Sequence, residues 1–184
     1  MYYILNINLS SAVKIKRSIV YEIGLPCFGL LSGFLLTLLE LKIFTPWDQV
    51  SELWQSGLPV FDYYEHTHFF RYLVVYPGFL IDECWPDIGF SLYLSFFFAA
   101  NIYLFDKVCM KTRGRHLNTM AWTGFLVINY FMHGRGLIMW TAWLLCILVC
   151  IELQSAEGKT IWKVIKAVIS IFLSTVSTGV FAIV

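Results

Sequence analysis

Charge is what this chain has least of. Aspartate, glutamate, lysine and arginine make up 14% of its 184 residues against 59% apolar side chains, and the mean hydropathy is +0.71. A soluble domain of this length needs far more polar surface, so the composition is that of a polytopic membrane protein. The net charge of +1 excludes the basic surface that nucleic-acid binding demands. The cysteines (Cys27, Cys84, Cys109, Cys146, Cys150) show no metal spacing. Four of them lie in or beside apolar runs and read as packing residues, and Cys84 has no evident disulfide partner. Nucleotide loops, His-Glu-x-x-His and Gly-x-Ser-x-Gly are all lacking. These absences leave no cofactor to assign. Residues 1–13 lack the basic start and cleavage pattern of a signal peptide.

What is present is a series of apolar runs. The expected fold is all-α, a single transmembrane domain over residues 1–184. Its spans lie near 19–39, 88–105, 117–133, 137–151 and 164–184, each close to the ~20 residues that a bilayer crossing needs. The first carries Glu22, placed near the basic flank of Lys14, Lys16 and Arg17, and the pair Gly29/Gly33, whose spacing allows a close helix approach. Between the first two spans, 45–81 reads as an outer interfacial or re-entrant region. Thr45-Pro46-Trp47-Asp48 is a helix start, and Trp47, Val50, Ser51 and Trp54 share one face. The run 72–81 is broken by Pro77-Gly78; even 69–81 covers about 20 Å, too little for a core ~30 Å thick. The third and fourth runs are joined by a hinge, His133-Gly134-Arg135-Gly136, whose glycines allow a tight turn between two membrane helices. Arg135 is then expected near the headgroup boundary, where an ionisable residue needs to snorkel or to find an anion.

Orientation follows from the basic residues. With the amino terminus inside, ten of the thirteen lysines and arginines fall inside: Lys14, Lys16, Arg17, Lys107, Lys111, Arg113, Arg115, Lys159, Lys163 and Lys166. Only Lys42, Arg71 and Arg135 fall outside. If 72–81 crossed, the inside would hold only Lys14, Lys16, Arg17 and Arg135, so the positive-inside rule favours five spans.

This topology gathers Asp62, Glu65, His66, His68, Arg71, Asp82, Glu83, Asp87, His133 and Arg135 on the outer face. Histidine beside carboxylates suits acid–base work, and arginine suits phosphate through its planar fork of donors. Glu65, His66, His68 and His133 have zinc-ligand chemistry, but a His-x-His without a second spaced pair assigns no metal.

Four stretches resemble bacterial polysaccharide polymerases of the O-antigen and exopolysaccharide type, the Wzy and EpsG-like families. They are Phe61-Asp-Tyr-Tyr-Glu-His, the run Arg71-Tyr-Leu-Val-Val-Tyr-Pro77, the hinge Gly134-Arg135-Gly136-Leu137-Ile138, and Ser174-Thr-Val-Ser-Thr-Gly179. The resemblance covers roughly 61–184. It implies a membrane glycosyltransferase that joins polyprenyl-pyrophosphate-linked sugar repeat units on the outer face of a bacterial plasma membrane, beside other polysaccharide-assembly membrane proteins. Under it Arg135, Arg71, Asp62 and Glu65 bind substrate, and His133, His66 and His68 are catalytic. Family members are markedly longer, and this chain stops within an apolar run at Val184, which reads as a truncated copy. The alternative is a small non-catalytic membrane protein: an immunity factor, a modifier or a subunit of a larger complex.

Reporter fusions after Phe61, Lys111, Gly134 and Glu157 should read outside, inside, outside and inside. An outside reading after Lys111 would overturn the topology and disperse the outer cluster.

Overall fold

The computed structural model describes residues 20–39, 48–57, 59–63, 69–116, 123–125, 127–128, 134–155 and 158–176. Every regular element among them is helical. A π-turn, Val20–Gly24, leads into α1, Leu25–Leu39. Pro26 supplies no N–H and its ring crowds the preceding turn, which places the ladder irregularity just ahead of it. Then come α2, Asp48–Gln55, and a 3-10 turn, Val60–Tyr63. They are followed by α3, Phe69–Cys84, α4, Gly89–Arg113, α5, Gly134–Gln154, and α6, Thr160–Ser174. Two of these, α4 and α5, are long and apolar enough to cross a membrane, at 25 and 21 residues. Of the other expected spans, 19–39 is represented by the shorter apolar α1 and 164–184 by α6. Most of 117–133 lies outside the described residues.

Helix α4 is the centre on which the others pack. Its antiparallel neighbour α1 comes close because Gly29 and Gly33 face it: a Cβ on Gly29 would stand 3.0 Å from the Cα of Ala99, and one on Gly33 would stand 3.0 Å from Phe98. The small-residue pair is thus a true contact surface. Glu22, at the same helix pair, meets Lys107 at 3.2 Å. The antiparallel register brings Lys107 to Glu22; the basic flank of Lys14, Lys16 and Arg17 lies outside the described residues.

Helix α3 joins α4 through a tight turn in which Asp87 takes a φ of 68°. A Cβ on Gly89 would lie 2.4 Å from the Asp82 backbone, so only glycine fits where the two helices diverge. Asp82 Oδ1 accepts from the Phe90 N–H at 3.0 Å, satisfying a donor at the start of α4. Asp82 thereby caps the start of α4.

The expected break at Pro77-Gly78 does not occur: α3 runs through Pro77 as one helix. A proline in a helix interior removes a ladder bond and loosens the turn before it. Here the Tyr93 hydroxyl of α4 donates to the Val74 carbonyl in that turn, and bare Gly78 lets the tyrosine ring come near. From the other side Trp54 of α2 stacks on Phe79 at 5.0 Å and meets Tyr76 edge-on at 5.8 Å. Of the face foreseen for an interfacial helix, Trp54 thus packs on protein.

Helices α5 and α6 form an antiparallel hairpin. Glu152 is buried, and Lys166 reaches both its carboxylate oxygens at 2.7 and 2.8 Å. Lys163 donates to the Glu152 carbonyl at 2.7 Å. Further along the pair, Ser170 Oγ donates to Ala142 O at 2.7 Å.

Lys166→Met leaves the Glu152 carboxylate enclosed without its ammonium. Removing one partner of such a pair costs on the order of 3 kcal/mol, at the low end of the usual range because Lys166 is partly exposed. Thermal unfolding in detergent should register that loss, and Lys166→Met combined with Glu152→Leu should recover most of it. A double variant no more stable than the single one would show that the pair is not what couples the hairpin.

Candidate functional site

The two arginines singled out from the sequence lie in the first described turns of α3 and α5. Arg71, in the first turn described for α3, is only 4% exposed. Its Nε donates to the Val176 carbonyl beyond α6 at 3.0 Å. Arg135, in the first turn described for α5, is exposed. The Arg135 charge is near enough to act on the buried Arg71 guanidinium.

The position of this pair is set by a buried polar contact that sequence reasoning missed. Asn101 of α4 is fully enclosed; its Nδ2 donates to Leu137 O at 3.0 Å. Thr141 Oγ1 donates to Asn101 Oδ1 at 2.7 Å. Asn101 thereby holds α5 two residues from Arg135. Phe105 stacks on Phe125 at 4.1 Å, and Phe125 meets Trp140 edge-on, which steadies α5 against α4 one turn further on. The signal was available: Asn101 is a lone amide in a phenylalanine-rich run, and a polar residue in such surroundings must find a partner.

These contacts correct the hinge. Gly134, Arg135 and Gly136 are helical, so the glycine pair does not form the turn expected of it. Measured along α4, Asn101 stands about 18 Å from Gly89. The arginines beside Leu137 are therefore level with the middle of α4, well beyond the loop position expected for Arg135.

Other expected site residues are placed less closely. Asp62 is exposed in the 3-10 turn, where its N–H donates to Pro59 O at 2.9 Å. Glu65, His66, His68 and His133 lie outside the described residues. The remaining histidine, His116, sits elsewhere: its Nδ1 meets Asp106 Oδ2 at 2.7 Å. The left-handed Gly114 that ends α4 turns the chain back toward this aspartate. Among the described residues no three His, Cys, Asp or Glu side chains group as metal donors.

The arrangement offers a cationic pair framed by α3, α5 and α6, with one guanidinium fixed through a carbonyl and the other exposed. Such a pair can neutralise an anion carrying more than one charge. Comparison with models of known families, with curated proteins and with solved structures finds no match.

With the native cysteines replaced by alanine, Arg71→Cys and Arg135→Cys in one chain should be joined by a short flexible bismaleimide in detergent. Arg71→Cys paired with Gln154→Cys, at the far end of α5, should not be. Equal yields from both pairs would remove the clustered site.

Proposed function

We propose that this protein is a polysaccharide-polymerase-like membrane glycosyltransferase, joining sugar repeat units carried on a polyprenyl pyrophosphate. The observation that carries this reading is the buried Arg71, held by the Val176 carbonyl within reach of the Arg135 charge; the two arginines come from separate stretches that resemble the polymerase families. In the transfer, a hydroxyl of the acceptor sugar attacks the anomeric carbon of the donor. A glycosidic bond forms, the bond from that carbon to the pyrophosphate oxygen breaks, and polyprenyl pyrophosphate leaves. Arg71 and Arg135 neutralise the charge gathering on the leaving group. One of His133, His66 and His68 takes the acceptor proton, while Asp62 and Glu65 hold sugar hydroxyls.

The reading takes the chain as crossing a bacterial plasma membrane five times, amino terminus inside, with 45–81 outer and re-entrant. The pattern of ion pairs is compatible with that topology. Glu22–Lys107, Asp106–His116 and Glu152–Lys166 belong to helix ends assigned inside, and the arginine pair stands apart from them. Helix α3, beginning beside Arg71 and rising along α4 to Cys84, suits a segment that enters without crossing. Other polysaccharide-assembly membrane proteins are the expected partners.

Arg135→Lys keeps the charge and loses the bidentate fork. Polymer formation in a complemented deletion strain should fall on the order of 10-fold or more, as expected for a lost charge-assisted bond of about 1.5–3 kcal/mol. Protein level by immunoblot should be nearly unchanged. His133→Ala should impair polymer formation while retaining the lipid-linked substrate. Normal polymer length from Arg135→Lys, or from the deletion itself, would favour the non-catalytic alternative.

A further inference from the structure

Cys146 and Cys150 stand one turn apart on α5, and both are exposed. Their sequence positions suggest packing residues, yet they share the outward face of the helix with Trp143 and Ile147. The two thiols are within hydrogen-bonding reach of each other. Cys150 lies one turn before the end of α5 at Gln154. Arg135 is about four turns away, roughly 22 Å along the axis, so the thiols are no part of the arginine site.

Geometry decides what such a pair can do. A disulfide needs its Cβ atoms about 3.5–4.5 Å apart, whereas successive turns of a helix hold them about 5–6 Å apart. A bridging metal ion closes that gap. At the zinc–sulfur length of about 2.3 Å, two metal–sulfur bonds in line span about 4.6 Å. Among the described residues no three His, Cys, Asp or Glu side chains group as metal donors, and the nearby Glu152 carboxylate is held by Lys166. The described residues therefore do not supply the four-donor shell of zinc. Two soft sulfurs in line suit a soft closed-shell cation that is satisfied by two ligands.

We propose that Cys146 and Cys150 bind a soft closed-shell cation, Cu(I) or Hg(II), as a two-coordinate dithiolate on the outward face of α5. Each thiol passes its proton to solvent as its metal–sulfur bond forms, and the ion keeps its oxidation state. The site does not depend on the glycosyltransferase reading.

The test titrates the full chain in lipid nanodiscs, without oxygen, using Cu(I) against the chelator bicinchoninate. Hg(II) is titrated separately and followed by sulfur-to-mercury charge-transfer absorption. A single tightly held ion per chain is expected, and the ion that is retained names the cation. Cys146→Ser and Cys150→Ser should each weaken binding by about tenfold or more, because neither thiol alone completes the site. Cys27→Ser and Cys84→Ser, at the other exposed thiols, should stay within about twofold. Circular dichroism checks that the variants keep their helices. A signal merely halved in each single variant would mark two independent thiols and overturn the proposal. So would equal losses from Cys27→Ser and Cys84→Ser, Zn(II) held as tightly, one ion shared by two chains, or retention of neither ion.

Discussion

A guanidinium enclosed among apolar side chains needs a carbonyl to receive it, and the bond from Arg71 to Val176 ties three parts of the chain together. It joins the start of α3 to the residues following α6, and α6 is locked to α5 through Glu152 and Ser170. Arg135 reaches the same place on α5, whose position is fixed by Asn101. Removing a charge from water costs several kcal/mol that one charge-assisted bond recovers only in part.

Polar groups elsewhere in the bundle follow a different rule. Glu22–Lys107, Asp106–His116 and Glu152–Lys166 pair opposite charges and so neutralise themselves. Asn101 and Thr141 likewise satisfy one another and the Leu137 carbonyl. These contacts set helix register and leave little net field. Arg71 and Arg135 carry like charges, and the charge of Arg135 acts on Arg71.

The helical character and the apolar runs were legible because composition and run length alone decide them. The two arginines were legible as candidates because cations within apolar sequence are few. Their meeting was not, since it depends on where α3 and α5 sit along α4. That depth is set by Asn101 and Leu137, a side-chain-to-backbone bond with no sequence period. Pro77 misled for a similar reason: its local rule is sound, but the repair comes from Tyr93, a residue of another helix. Gly134 and Gly136 carried the same ambiguity. Two glycines permit a turn and equally permit close packing in a helix, and local sequence cannot choose between them.

The surroundings of the arginines are unequal on their two sides. Helix α3 carries an interior proline and is tolerated because α4 and α2 cover it, with Tyr93, Phe79 and Trp54 closing around the weakened turn. Irregular backbone at membrane depth survives only where protein encloses it. That wall is therefore committed to holding α3 in place and cannot open without exposing unsatisfied carbonyls. Helix α6 has no such obligation: Ile161, Val164, Val168 and Ile171 are all more than half exposed, and its polar contacts run back to α5. The α3 side is thus closed on protein, while the outward face of α6 is apolar and exposed among the described residues.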